Sequence, residues 1–529
     1  MDLIVASDIG TTGVKVSAFQ VGSLVAVASN VAGRTVCEYY KMYHMVHPGN
    51  SMIEQLPKDW YDAYLECLAG VLEDLAMGHS NEFQIKALAF SGQMQALCLV
   101  GSQGPLRNAV LFSDARAREE AMFLDDRFGA EALVERTGNY KGAVSVLAKL
   151  LWFEKHEKEL LATAEKILLG AHSFVVWTIT KEANCDFTTA GTTSILDRAE
   201  SGWATDILKT CGLESVTEKL PQLVAPDHIT TTISKLWDIP GLQELLSDDT
   251  IVYHSSSRDI LVFHGCGDLG TTTLGANHIS PNPYMYVGTS GWLAETITKK
   301  PVSVKSPSVS YIAHPRKEKE IRVAPSTTCG GSIEWFRRVL ATPGLTYKDF
   351  DDSCAVSSPG SNGVLFLPHL AGERCPDNVP HARGAFIGLC LSTTQNEMRR
   401  TVLEGVAFHF KWLREAMDID ADTMTLVGGG SKSFVWSQIF ADILGCSIVV
   451  SSEAVDIATY GAASIASGVL LANHKGSTNT NTPKLFSPNA SHTQLYNKLY
   501  TIWRSAFGQL SETTLVLRQV VEGGEFALT

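Results

Sequence analysis

The sequence predicts an α/β protein built from two domains, and three observations carry that prediction. Short apolar runs of strand length alternate with helical patterns from one end of the chain to the other. The chain has 529 residues, more than a single hydrophobic core usually organises. A Gly/Thr-rich turn after an apolar run occurs twice, as Asp8-Ile-Gly-Thr-Thr-Gly and as Asp268-Leu-Gly-Thr-Thr-Thr, which suggests two domains of related design. The break is expected at 250/251, inside a polar stretch, giving domains of residues 1–250 and 251–529.

The elements follow in order. Leu3–Ala6 reads as a strand, Asp59–Leu75 as a helix, Lys86–Phe90 and Ala96–Val100 as strands, Ser145–Lys155 as a helix and Lys166–Leu169 as a strand. In the second half, Ile260–His264, Tyr284–Val287, Gly363–Leu367, Thr425–Val427 and Ser447–Val450 read as strands. Helices are expected over Gly331–Ala341, Gln395–Met417 and Ser431–Leu444. Spacing supports the second of these: Met398, Val402, Val406, Phe410, Leu413 and Met417 recur every three or four residues and share one face. Asn396 and Glu397 suit its first turn. The stretch His474–Pro488, rich in Ser, Thr, Asn and Pro, reads as a surface loop without a role.

Composition narrows the function. A net charge of −13 argues against a surface for nucleic acid, which needs clustered Lys and Arg. No apolar run approaches the roughly 18 residues of a membrane span. Met1–Gly10 lacks the basic and long apolar regions of a signal peptide. The eleven cysteines contain no Cys-x-x-Cys pair and mostly sit in apolar settings, as reduced core thiols do. A cytoplasmic protein is expected.

Five motifs sit at predicted strand ends, where α/β sheets gather ligands. In Asp8-Ile-Gly-Thr-Thr-Gly, the glycines let backbone N–H groups approach a phosphate, and Asp8 offers a hard oxygen to Mg²⁺. Lys15 follows on the return strand of the hairpin. A plain Gly/Thr turn fits equally well. In His264-Gly-Cys-Gly-Asp268, a carboxylate among small neighbours is open to a substrate hydroxyl, as a general base must be. A turn Asp is the alternative. Gly288-Thr-Ser-Gly291 fits a second phosphate clamp or an ordinary turn. Gly428-Gly-Gly-Ser-Lys432 permits close approach of a flat group such as adenine ahead of a helix. No Gly-x-x-x-x-Gly-Lys-Ser/Thr occurs, so a P-loop enzyme is not the simple reading. In Ser91-Gly-Gln-Met-Gln95, the amides suit a polyol, and Asp114 with Arg116 adds a charged pair that also reads as a local salt bridge.

In this order the motifs resemble those of the FGGY carbohydrate kinases. Further likeness lies in Lys149-Leu-Leu-Trp152, in Phe366-Leu-Pro-His-Leu-Ala-Gly-Glu-Arg374, in Gly384-Ala-Phe-Ile-Gly-Leu and in Val402-Leu-Glu-Gly405, and it spans nearly the whole chain. The resemblance implies two actin/hexokinase-like (ribonuclease H-like) domains with an interdomain catalytic cleft, the first binding sugar and the second ATP. It implies Asp268 as the base, with Asp8 joining it in catalysis and holding Mg²⁺. Gly10, Thr11, Thr12, Lys15, Gly288, Thr289, Ser290, Gly428, Gly429 and Ser431 would bind the nucleotide. Gln93, Met94, Gln95, Asp114 and Asp268 would face the sugar. ATP and Mg²⁺ are the cofactors so implied. The partners are a ketopentose or related polyol and MgATP, with no membrane and no nucleic acid, and a homodimer is the default assembly.

Within the family the likeness is strongest to xylulokinases, which implies D-xylulose as acceptor. Two positions depart from their pattern: Gln95 replaces a usual His and Leu269 a usual Asn. Ribulose, gluconate or another ketose or polyol is therefore the alternative acceptor. A noncatalytic nucleotide or sugar sensor of the same fold is the alternative from another class.

Overall fold

A computed structural model of the protein describes residues 2–21, 35–43, 45–49, 51–78, 83–246, 259–281, 283–300, 308–316, 318–341, 344–451, 456–470 and 483–522. The chain divides into two compact units. Unit 1 comprises Met1–His278, Thr296–Ile321 and Asp456–Asn481, and unit 2 the remainder.

Unit 1 is organised on a sheet that begins at the N-terminus. The strand Asp2–Ile9 pairs antiparallel with Gly13–Gln20, which pairs antiparallel with Thr35–Met42. On its other side Asp2–Ile9 pairs parallel with Gln84–Gly92, and Ile260–Phe263 pairs parallel beyond that. Leu3, Ile4, Val5, Ala6 and Ile9 are buried, so the first strand is covered on both faces, as a central strand of a mixed sheet must be. Helix Pro57–Gly78 covers one face through Trp60, Tyr64, Leu68 and Leu72. Helix Ile457–Leu470 covers the other, placing Tyr460, Ala462, Ala463 and Ala466 against Ile4, Ala6, Phe19 and Phe263.

Unit 2 repeats the pattern. Tyr284–Val287 pairs antiparallel with Gly291–Thr298 and parallel with Thr423–Val427, which pairs parallel with Ser447–Val450. Helix Gln395–Ala416 supplies the packing face expected from its spacing, with Val402, Val406, Phe410 and Leu413 buried. A capping box starts it: the Thr394 hydroxyl accepts from the Glu397 N–H, and the Glu397 carboxylate accepts from the Thr394 N–H at 2.7 Å.

Three expectations change. The break at 250/251 falls outside the described residues, but Ile260–Phe263 and the segment that follows it belong to unit 1. Asp268-Leu-Gly-Thr-Thr-Thr is not a second hairpin turn; it opens the helix Asp268–Ile279. The counterpart of the Asp8 turn in unit 2 is instead Gly288-Thr-Ser-Gly291, which joins the first two antiparallel strands there. Third, Lys484–Phe486, within the expected loop, is an edge strand pairing with Ser447–Val450, and residues 471–482 lie outside the described residues. Among the described residues no helix is long and apolar enough to cross a membrane. The described cysteines are free thiols, mostly buried.

Candidate functional site

The strand ends of unit 1 converge. Asp8 lies in register with Ser91 on the parallel neighbour and with Lys15 on the hairpin partner. A two-residue strand, Cys266–Gly267, pairs with Ser91 and Gly92 and delivers Asp268 beside them. Gly265 permits this route: its φ is +79°, and a Cβ there would lie 1.8 Å from the Phe90 carbonyl oxygen. The Ser91 hydroxyl donates to Asp8 Oδ1 at 2.8 Å and lies 2.8 Å from the Thr271 hydroxyl. Thr271 in turn donates to the Asp268 carbonyl at 3.1 Å. The Ser91 and Thr271 hydroxyls thus lie between the Asp8 carboxylate and the main-chain carbonyl of Asp268.

Their electrostatics follow from that placement. Each keeps a partly exposed edge, yet desolvation raises both. The Asp8 carboxyl is raised by burial, against lowering contributions from the Ser91 hydroxyl and the Lys15 charge. Asp268 is pushed up to about 8 by burial and then by the Asp8 charge, although it accepts the Leu269 N–H at 2.8 Å. A buried layer supports these residues. Asp186 caps the short helix Phe187–Gly191 by accepting the Thr189 N–H at 2.9 Å; it also accepts the Cys266 thiol at 3.2 Å and contacts His172 Nε2 at 3.1 Å. The His264 imidazole is driven down to about 3 by burial and by neighbouring His172, which keeps it neutral.

The residues expected to face the sugar divide into two groups. Met94 packs on Gly267, where a Cβ would meet its sulfur at 2.4 Å, so it lies next to Asp268. Gln93 is buried; its amide donates to Gln55 Oε1 at 2.8 Å, and its own Oε1 has no hydrogen-bond partner. Gln95 adopts φ +59°, and its amide donates to the Thr192 carbonyl at 2.7 Å. Asp114 stands apart. It is fully buried, and its carboxylate accepts the Ile53 and Arg116 N–H groups at 2.6 and 3.0 Å and the Arg116 guanidinium at 2.8–2.9 Å. With both oxygens so occupied, it positions the segment around Glu54 and offers no face to a substrate. Leu269 is likewise buried, within the first turn of its helix.

Sequence reasoning missed several contributors. Gln55 donates to the Thr11 carbonyl at 2.7 Å and accepts from Trp60 at 2.9 Å, tying the first turn to Gln93. Lys15 pairs with Asp456. Neither link has a local signal, since the partners are 44 and 441 residues apart.

In unit 2 the two expected nucleotide motifs come together. Gly428 follows the strand Thr423–Val427 with φ +88°, and a Cβ there would lie 2.8 Å from the Val287 carbonyl oxygen, just before Gly288. The neighbouring Gly429 is exposed and has nothing within 4 Å of a Cβ position. The Ser431 hydroxyl donates to the Gly428 carbonyl at 2.7 Å and closes that turn. The N-terminus of helix Gly330–Val339 braces the other turn: the Gly330 and Gly331 N–H groups donate to the Gly288 and Thr289 carbonyls at 2.8 and 3.0 Å. Thr289 is exposed and Ser290 partly so.

Comparison with known proteins matches both halves of the chain to one family. Residues 3–242 match the N-terminal domain of the FGGY family of carbohydrate kinases, and residues 284–468 match its C-terminal domain. The xylulose kinase of Staphylococcus xylosus is 27% identical over 471 residues, covering 88% of this chain and 90% of that one. Two crystal structures from Lactobacillus acidophilus share the fold at 24% identity and a TM-score of 0.79 each. A gluconate kinase covers 96% of this chain and 98% of its own, and a ligand-bound xylulose kinase covers 97% and 99%.

Proposed function

The chain belongs to the FGGY family of carbohydrate kinases, and from that premise we propose that this sugar kinase phosphorylates a ketopentose, D-xylulose foremost, with Asp268 as the base. Family membership carries ATP as the phosphoryl donor. The observation that carries the rest lies in unit 1. Asp268 follows a short strand paired beside Ser91, and its carboxyl has a proton affinity raised well above the ordinary range by burial and by the Asp8 charge.

In the reaction proposed, the acceptor hydroxyl gives its proton to Asp268 as its oxygen bonds to the γ-phosphorus. The bond from that phosphorus to the β-phosphate bridging oxygen breaks and ADP leaves. Asp268 must be unprotonated to do this, and the Asp8 charge works against that state. Mg²⁺ fits here, because two carboxylates with open edges and mutual repulsion offer the hard oxygen ligands a divalent cation takes. Asp8 would hold it. When bound, the ion would supply charge neutralisation to the phosphates and offset the Asp8 charge, which raises Asp268 less than burial does. In unit 1, Gly10, Thr11 and Thr12 of the first turn are phosphate-facing groups in this reading; in unit 2, the exposed Thr289 and the partly exposed Ser290 are. The adenosine lies on Gly429, the open position of its turn.

The acceptor lies along Gln93, Met94 and Gln95. Gln93 is buried with an amide oxygen that has no donor among the described residues, a cost that a hydroxyl reaching it on binding would remove. A sensor without turnover would have no use for Asp268. A gluconate kinase shares the fold as closely as a xylulose kinase does, so the acceptor is decided by assay. ADP release with MgATP is measured against D-xylulose, D-ribulose, L-ribulose, L-xylulose, D-gluconate, glycerol and sedoheptulose. D-xylulose is expected to give the highest kcat/KM; turnover confined to gluconate or glycerol would overturn the ketopentose assignment.

A further inference from the structure

Unit 2 buries a second group of titratable side chains, which the phosphoryl-transfer reading does not use. His369, Glu373 and His409 have ligand-capable atoms within 4.8 Å of one another, and all three are buried. A tight turn after the strand Leu365–Leu367 brings Glu373 back beside His369. The Gly372 N–H donates to the His369 carbonyl at 3.1 Å, and Gly372 itself has φ +78° with a Cβ position 2.5 Å from the Pro380 carbonyl. His409 approaches from helix Gln395–Ala416.

The carboxylate is held as a metal ligand is held by its surroundings. Glu373 Oε1 accepts the Thr327 hydroxyl at 2.9 Å, the Arg374 N–H at 2.9 Å and the Thr327 N–H at 3.3 Å. Oε2 lies 3.3 Å from His409 Nε2 and 3.6 Å from His369 Nδ1; its one donor is the Thr327 N–H at 3.4 Å. None of the four ring nitrogens of His369 and His409 has a well-formed hydrogen bond, although one nitrogen of each ring faces the Glu373 carboxylate. Two buried imidazoles without well-formed hydrogen bonds beside a buried carboxylate are costly, and an ion would take one nitrogen from each ring and one carboxylate oxygen. The two contacts of Glu373 Oε2, at 3.3 and 3.6 Å, are close to the roughly 3.3 Å that separates tetrahedral N and O ligands about 2.0–2.1 Å from Zn²⁺, and the two imidazoles lie within 4.8 Å of each other. The cluster in unit 1 differs: there His172 meets Asp186 directly at 3.1 Å, and the other Asp186 oxygen is taken by Thr189 and Cys266.

We propose that His369, Glu373 and His409 form a three-ligand binding site for a divalent transition metal of the Zn²⁺ class, which ties the turn after Leu365–Leu367 to helix Gln395–Ala416. Two imidazoles and one carboxylate leave one position for water. Phe507, Trp503 and Trp412 pack around the imidazoles, with ring centroids 4.5, 5.8 and 5.8 Å away, and shield the site. Arg504 stacks on Trp412 at 3.5 Å; its charge opposes a second cation and weakens binding relative to a carboxylate-rich site.

The test uses the full chain, stripped with a chelator, reloaded with Zn²⁺ and passed through gel filtration. One equivalent of zinc is expected to stay bound, with a rise in Tm. X-ray absorption at the zinc edge should show a shell of nitrogen and oxygen only, with two imidazoles. His369→Gln/His409→Asn should lose that equivalent. Three outcomes would overturn the site: no retained zinc in the folded parent chain, sulfur in the metal's shell, or full retention by the double variant. The absorption measurement needs no variant, so a misfolded double variant does not spoil the test.

Discussion

Asp268 pairs a desolvated carboxyl with a like charge at Asp8, and this has a consequence for stability. The proton affinity of Asp268 is raised from 3.8 to about 8 on folding. The folded state therefore holds a proton that the unfolded state releases, and stability contributed by that proton is lost as pH rises from about 4 to about 8. Asp268→Asn removes the penalty. We expect its Tm to exceed that of the parent by more at pH 9 than at pH 5, measured by calorimetry without nucleotide; a pH-independent difference would contradict the raised value. At Gln93, the unpartnered carbonyl oxygen makes a separate prediction. Gln93→Leu should lower kcat/KM for the acceptor roughly 10- to 100-fold, mainly through KM, as expected for one lost polar contact of about 1.5–3 kcal/mol. The juxtaposition of two acids at neighbouring strand ends was legible where glycines flank them, as at Asp8 and Asp268. The links of Gln55 and Asp456 were not legible, since their partners are distant in sequence. Asp114 looked available in sequence because nothing local shows that Arg116 and two backbone N–H groups consume its carboxylate.

Helix Asp268–Ile279 is the element that sequence patterning misread. Its Gly and Thr content carries low helix propensity, so the segment looks like a turn. Packing overrides propensity here. A Cβ at Gly275 would lie 2.7 Å from the Ile457 carbonyl, and one at Gly461 would lie 2.0 Å from the Thr271 carbonyl. Small residues on both helices thus permit a close backbone approach, and the same glycines that weaken the helix locally are what its partner requires. Gly461→Ala should cost roughly 2 kcal/mol or more, read from denaturant unfolding, because the obstacle is backbone and cannot swing away. Gly429→Ala makes the contrast in unit 2: with open space at its Cβ, stability should hold within about 0.5 kcal/mol while KM for ATP rises. By comparison, helix Gln395–Ala416 was legible because period and cap agreed.

At the scale of the molecule, the chain builds each unit on a sheet of antiparallel hairpin strands extended by parallel ones. The two-domain α/β class was readable from the alternation of elements. The division was not, because unit 1 gathers three separated segments and polar composition marks only where the chain is exposed. A fragment ending at 250 would lose Ile260–Phe263, Asp268–Ile279 and the helix Ile457–Leu470 that buries Tyr460 and Ala462 against the first sheet. Such a fragment should be insoluble or molten, with no cooperative thermal transition; a sharp transition would mean that the third segment is dispensable.

The central claim is that this sugar kinase deprotonates its acceptor through Asp268, and steady-state turnover of Asp268→Asn against the parent tests it most directly. With MgATP and the best ketopentose, we expect kcat to fall roughly 10²- to 10⁴-fold while the Tm is retained or raised. A folded Asp268→Asn protein that turns over within about twofold of the parent would contradict the assignment, whichever sugar the enzyme prefers.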